Sequence, residues 1–253
     1  MESGEHTRFL VRLWGEIPGE QGRKKMISVC MATYNGSKYI KEQLESILSQ
    51  LPEDAELIVS DDGSKDDTLD IVRNFRDTRI KIIKGPGKGP VKNFENALKE
   101  AAGEIIFLSD QDDVWQPEKL EKVLSSFDRD TECVLHDAVV TDAGGKILMP
   151  SFFAWRKVHH GVLGNLLKNS YTGCCMAFTK ELVDKALPFP EGIEMHDWWL
   201  GLLAERDGAS KFIDDKLIHY RRHGENTNSL DGYGIGRKIH NRLVFIKALI
   251  ERA

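Results

Sequence analysis

The chain has 253 residues, 41% of them hydrophobic and 30% charged, an ordinary globular composition with room for one large domain or two small ones. Its 35 basic and 40 acidic residues give a net charge of −5, which leaves no basic footprint for nucleic acid. No stretch has the apolar length of a membrane span, no signal-peptide apolar region opens the chain, and Cys30, Cys133, Cys174 and Cys175 lack metal-ligand spacing, so the expectation is a cytoplasmic protein with reduced core thiols.

Residues 1–25 mix charges with Gly15, Pro18, Gly19 and Gly22 and show no clean period, so they read as an extension outside the core fold, with a short helix possible at 9–14. Residues 26–33 form the first expected strand, ending in Tyr34-Asn35-Gly36. Ser37 is positioned to cap a helix whose Ile40, Leu44, Ile47, Leu48 and Leu51 repeat at helical spacing until Pro52. Residues 56–60 are the second strand, followed by Asp61-Asp62-Gly63-Ser64. Asp66 or Asp67 can cap the next helix, and residues 79–83 make the third strand. A Gly/Pro loop at 85–90 leads into a helix over 91–102. The fourth strand starts at Ile105, and Pro117 suits the first turn of a helix through Phe127. Four alternations of strand and helix predict right-handed crossovers and a mainly parallel sheet.

The rhythm then changes. Residues 133–140 read as a strand, 142–145 as a turn, 151–155 as an irregular aromatic stretch, 163–167 as a helix and 171–178 as extended. A helix is expected at 196–206, strand material at 212–220, and an amphipathic basic helix at 237–252. Such a helix either docks on its own domain or lies on an anionic membrane surface.

Chemistry concentrates in residues 105–115, where an apolar run meets Asp110, Asp112 and Asp113. The run reads as a strand buried on both faces, and the acids fall at its carboxyl end. In open α/β sheets ligands bind at that edge. Crowded carboxylates repel one another, and a hard divalent cation bridging to phosphate oxygens relieves the repulsion. A solvated acidic loop is the simpler alternative. Parallel strands bring Thr33-Tyr-Asn and Asp61-Asp-Gly-Ser to the same edge.

Three segments carry a resemblance: Ile27-Ser-Val-Cys-Met-Ala-Thr-Tyr-Asn-Gly, Val59-Ser-Asp-Asp-Gly-Ser-Lys-Asp, and Phe107-Leu-Ser-Asp-Gln-Asp-Asp-Val-Trp. Together they resemble family 2 glycosyltransferases of the GT-A fold, and the third is most similar to rhamnosyltransferase-type members. Met195-His-Asp-Trp-Trp and Tyr220-Arg-Arg-His-Gly-Glu-Asn-Thr-Asn extend the resemblance over residues 26–228. It implies an α/β GT-A domain at 26–230, with a nucleotide-sugar half at 26–127, an integrated acceptor half at 128–230, and a C-terminal helix at 231–253. It implies an inverting transfer of a sugar, rhamnose among the candidates, from a dTDP-, UDP- or GDP-sugar to a cell-surface glycan or lipid-linked acceptor. Mg2+ or Mn2+ would be the cofactor, and the inner face of the membrane a possible location.

By the same resemblance, Thr33 and Asp62, with Asp61 beside them, contact the base and ribose. Asp110 sits nearer the ribose or sugar, Asp112 holds the metal, and His223 reaches the diphosphate or its metal. Lys92 lies where a basic residue often approaches the nucleotide. Asp197 is the catalytic base, and Trp198-Trp199 suits a sugar-facing wall. Each has a plainer alternative: a turn for Asp61-Asp62, a solvated helix lysine for Lys92, a structural residue for His223, and a helix N-terminal acid for Asp197. Two other functions fit an α/β sheet with acids at its edge. A sugar-nucleotide nucleotidyltransferase would want a glycine-rich, arginine-bearing loop after the first strand, where this chain has Thr33-Tyr-Asn-Gly-Ser-Lys. A non-catalytic nucleotide-sugar-binding module would not need Asp112 and Asp197.

Overall fold

The computed structural model describes residues 26–224 and 234–252. The extension at 1–25, its helix at 9–14, and the 225–228 end of the last resembling stretch lie outside the described residues.

Strands β1 (Ile27–Thr33), β2 (Glu56–Asp61), β3 (Ile80–Lys84) and β4 (Ile105–Ser109) alternate with helices α1 (Ile40–Leu48), α2 (Thr68–Asn74) and α3 (Pro90–Glu100). β1 and β4 are buried along nearly their whole length, which explains their unbroken apolar runs. α1 turns Ile40, Leu44 and Ile47 inward at helical spacing. The four strands pair in parallel in the order β3-β2-β1-β4. The order reverses at β1, and a crevice opens there between the carboxyl ends of β1 and β4. The register pairs Thr33 with Asp61 and Met31 with Ser109, so the chain after each strand emerges at one edge.

The second half comprises β5 (Val114–Trp115), α4 (Lys119–Ser126), β6 (Cys133–Asp142), β7 (Ile147–Met149), α5 (Phe152–Arg156) and α6 (Val162–Leu167). A 3₁₀ turn at Gly173–Cys175 follows, then β8 (Met176–Thr179), α7 (Lys180–Ala186), α8 (His196–Arg206), β9 (Ser210–Arg222) and α9 (Ile235–Glu251). β8 joins β4 antiparallel, β6 joins β8 antiparallel, and β9 runs parallel to β6. One mixed sheet, flanked by helices, therefore crosses both halves of the described chain. All four cysteines are buried and free. No described helix is long and apolar enough to cross a membrane.

Several local expectations change. The 151–155 stretch is helix α5, because Ser151 caps it by accepting the Ala154 N–H at 3.1 Å. The 171–178 stretch is extended only in part, since its middle tightens into the 3₁₀ turn before β8. α1 starts at Ile40, and Ser37 does not cap it; the Ser37 N–H instead donates to Asp66 Oδ2 at 3.0 Å. α4 starts at Lys119, two residues beyond Pro117. α7, missed in sequence, is capped by Thr179 accepting from the Leu182 N–H at 3.3 Å.

Helix α8 lies hard against the chain that leads into the 3₁₀ turn. A Cβ on Gly201 would stand 2.4 Å from ring atoms of Tyr171, which is itself buried. Alanine would gain ~1 kcal/mol of helix propensity over glycine. Overpacking a buried ring costs about 1–3 kcal/mol, and these contacts are with ring carbons rather than a flexible end, so the packing term wins. Gly201→Ala is expected to lower unfolding stability by up to about 2 kcal/mol in a urea titration, and an unchanged midpoint would show that α8 can move away.

Candidate active site

The crevice at the switch of strand order is a cleft of about 720 Å³. At the end of β1, Thr33 donates through Oγ1 to Asp61 Oδ1 at 2.9 Å. Asp61 also accepts the Ser64 hydroxyl at 2.5 Å and the backbone N–H groups of Gly63 and Ser64 at 3.1 and 2.9 Å. Its carboxylate is thus spent on shaping the turn after β2, and it does not line the cleft. Asp62 does line it. The Asp62 oxygens accept the N–H groups of Gly87 and Gly89 at 2.7 and 2.8 Å, which pins the glycine loop over the cleft. Both glycines have positive φ, +67° and +81°, so other side chains would strain this loop.

Lys92, on the first turn of α3, pairs with Glu95 at 2.5 Å and does not line the cleft. Its neighbour Asn93 does. Asn93 donates to the carbonyls of Ser60 and Thr33 at 2.8 and 3.3 Å and accepts the Ser60 hydroxyl at 2.6 Å.

The acids after β4 have different surroundings. Asp112 Oδ2 lies 2.7 Å from His223 Nε2, and His223 stacks on Tyr39 with centroids 4.9 Å apart. Asp113 is 1% exposed; its Oδ1 accepts the Arg221 N–H at 2.9 Å, and its Oδ2 has no hydrogen-bond partner. Asp110 lines the cleft, and its ligand atom falls within 4.8 Å of those of Asp113 and Cys174. Burial, then the charges of Asp112 and Asp197, push the Asp110 carboxyl up to about 7. Burial, then Asp112 and Asp110, hold Asp113 well above the usual carboxylate range. The Cys174 thiol is also pushed up, first by its hydrogen bond with Cys175, so it stays protonated.

Lys119 is fully buried beneath this cluster. Its Nζ donates to the Cys174 carbonyl at 2.7 Å and sits 4.2 Å from the Trp115 ring centroid. Burial lowers its pKa to about 8. Gln111, between the acids, is a strut: it accepts the Tyr34 N–H at 2.9 Å and donates to the Tyr34 carbonyl at 3.0 Å. Crowded carboxylates, one with an unmet oxygen, form a donor set suited to a hard divalent cation.

Asp197 reaches the same cleft from α8. Its Oδ1 accepts the Trp198 N–H at 2.6 Å, and its Oδ2 accepts the Gly173 N–H at 3.0 Å. Burial outweighs these bonds and pushes its carboxyl up to about 6. Trp198 and Trp199 are core residues and not a sugar-facing wall. Their indole N–H groups donate to the carbonyls of Asn165 and Ala186, at 2.9 and 3.1 Å, and neither lines the cleft.

Thr33, Asp62, Asp110, Asp112, Asp197 and His223 therefore share one cleft, while Asp61 and Lys92 stand behind it. Sequence reasoning assigned no role to Gln111, Lys119 or His196. Lys119 carried a signal: it shares the inward face of α4 with Leu120, Val123 and Leu124. A lysine on an apolar helix face calls for a buried partner.

Comparison with known proteins gives a consistent picture. The model of "Glycosyl transferase family 2" matches residues 28–187. An uncharacterized glycosyltransferase of Nostoc sp. is 26% identical, over 80% of this chain and 66% of that protein. The dTDP-rhamnosyl transferase RfbG of Shigella flexneri is 29% identical, over 78% of this chain and 72% of its own. The Escherichia coli UDP-Glc:alpha-D-GlcNAc-diphosphoundecaprenol beta-1,3-glucosyltransferase WfgD is 29% identical, over 76% of this chain and 75% of its own. This chain thus spans roughly two thirds to three quarters of these relatives. The mannosyltransferase PcManGT of Pyrobaculum calidifontis, solved with GDP-Man and Mn2+, superposes with a TM-score of 0.64 at 20% identity, covering 98% of this chain and 71% of that one. With the family model spanning well over half of its residues, the chain belongs to glycosyltransferase family 2 and has the GT-A fold.

Proposed function

We propose that this chain transfers a sugar from a nucleotide diphosphate donor to a hydroxyl of a glycan or lipid-linked acceptor, with inversion. The observation that carries the reading is the convergence of Asp62, Asp110, Asp112 and Asp197 on one cleft from three different segments. Residues 26–127 would bind the nucleotide and residues 128–230 the acceptor. Relatives that use dTDP-rhamnose and UDP-glucose support a nucleotide-sugar donor, and RfbG keeps rhamnose among the candidates.

In this reading Thr33 and Asp62 face the base and ribose. Each Asp62 oxygen already holds one loop N–H and keeps a lone pair for a ribose hydroxyl. Asp112, with Asp110 and His223 beside it, would hold Mg2+ or Mn2+, which when bound neutralises charge building on the departing diphosphate. Asp197 takes the proton from the acceptor hydroxyl as that oxygen attacks the anomeric carbon and the bond to the diphosphate breaks. A base with a pKa near 6 is poised for neutral pH. One displacement needs one base, and it inverts the anomeric centre.

A lipid-linked acceptor has a second support. Leu163 and Leu167 on α6 and Ile239, Leu243, Ile246 and Ile250 on α9 are exposed, and Arg242 bridges the two helices through the Leu167 carbonyl at 2.7 Å. Apolar residues interleaved with Arg237, Lys238, Arg242 and Lys247 suit peripheral contact with an anionic membrane surface.

Four measurements test this reading. A thermal-shift screen of UDP-, dTDP- and GDP-sugars with Mn2+ identifies the donor, since a ligand at about 100 times its Kd adds ~2.7 kcal/mol. With that donor, Asp197→Asn should lose about 10²–10⁴-fold in turnover while donor affinity stays near wild type. A fully active mutant would remove Asp197 from the mechanism.

The pH profile has a defined sign. Asp197 works as the carboxylate, so wild-type kcat/KM should climb about tenfold per pH unit toward about 6 and level off above it. A profile that falls over that interval contradicts a carboxylate base.

Asp112→Asn should weaken Mn2+ and donor binding together in calorimetry. Normal binding of both by the mutant would take Asp112 out of the metal site.

A further inference from the structure

His196 opens helix α8 and precedes Asp197. It is 3% exposed, and neither of its ring nitrogens has a hydrogen-bond partner. The residue lines the cleft, and its ring stacks on Phe94, with centroids 4.1 Å apart and planes 23° apart. Burial alone lowers its pKa to about 3, so the imidazole is neutral at working pH. A neutral imidazole carries one N–H donor and one bare acceptor nitrogen. Buried polar atoms are nearly always satisfied, and a side chain with two unmet atoms calls for an explanation.

The geometry supplies one. The Phe94 face fixes the ring plane, leaving only the ring edge for bonding. At that edge stands Gly173, where a Cβ would lie 3.2 Å from His196 Nε2 and 3.6 Å from Asp197 Cβ. Glycine therefore keeps a side chain off that edge, while its own N–H holds Asp197 Oδ2. His196 and Asp197 line the same cleft.

We propose that His196 binds a carbohydrate hydroxyl beside Asp197, as a substrate-positioning residue of the transfer. A hydroxyl both donates and accepts, which matches what a neutral imidazole offers. The inference rests on the sugar-transfer reading. The hydroxyl belongs either to the transferred sugar or to the acceptor, and binding measurements separate the two.

His196→Phe keeps the stack on Phe94 and removes both nitrogens. Its thermal midpoint should match or exceed that of wild type, because an unmet polar edge becomes apolar. Its transfer kcat/KM should fall about tenfold, the scale of one hydrogen bond. His196→Gln, which restores an amide near the Nε2 position, should recover part of that loss. In calorimetry with Mn2+, weakened binding of the nucleotide-sugar but not of the free nucleoside diphosphate assigns the hydroxyl to the transferred sugar. Unchanged donor affinity with a raised acceptor KM assigns it to the acceptor.

Wild-type transfer by His196→Phe would overturn the proposal. A lower midpoint, with a loss that glutamine does not relieve, would also overturn it in favour of a structural role. Asp197→Asn assayed in parallel separates the two failures: if that mutant is impaired while His196→Phe is not, sugar transfer stands and only the His196 assignment falls.

Discussion

Carboxylate repulsion at the end of β4 is the constraint on which the rest of the site depends. Asp110 and Asp113 bring ligand atoms to within 4.8 Å, and Asp112 and Asp197 add charge to the same region. Two unit charges at that separation repel by about 3 kcal/mol even at an effective dielectric of ~20. The fold offsets part of this with Lys119, whose ammonium is buried beneath the cluster against the Trp115 ring. The residue appears in the raised carboxyls. Because the folded pKa of Asp110 lies near 7, above its unfolded value, its contribution to stability is present at low pH and is lost as pH rises from about 4 toward 7. Repulsion of this kind is what a bound divalent cation would relieve.

The sheet order decides where this charge goes. Reversal at β1 opens the crevice, and the register sets Thr33, Asp61 and Ser109 at one edge. Antiparallel β8 then extends the sheet beyond β4, and the 3₁₀ turn before it presents the Gly173 N–H to Asp197. The proposed base and the acids assigned to the leaving group thus come from opposite halves of the chain yet line one cleft. Gln111 locks the loop after β4 to the loop after β1 through two bonds to the Tyr34 backbone, so the two walls of the cleft are not independent.

The first half of the described chain was readable because its signals are local. β1, β2 and β4 are apolar runs that end in acids, and parallel pairing alone brings those ends together. What sequence could not reveal were residues whose role lies in a distant contact. Asp61 looks like Asp62 on paper, yet one shapes a turn and the other holds the glycine loop. Lys92 is close to the cleft in sequence but turns to Glu95. Trp198 and Trp199 sit beside Asp197, but the helix carries both rings into the core. Lys119 shares an apolar helix face with Leu120, Val123 and Leu124, but its partner, the Cys174 carbonyl, is 55 residues away. The 3₁₀ turn has no propensity signature, because tertiary packing around Cys174 and Cys175 tightens it.

A single displacement with Asp197 as base fixes the stereochemistry of the product. Slow donor hydrolysis, with water as acceptor, can be followed by proton NMR from the first turnovers, before mutarotation scrambles the anomers. After one displacement the released sugar first appears as the anomer opposite to the donor linkage. First appearance of the same anomer would require two displacements and a covalent or equivalent intermediate, and would contradict a single displacement.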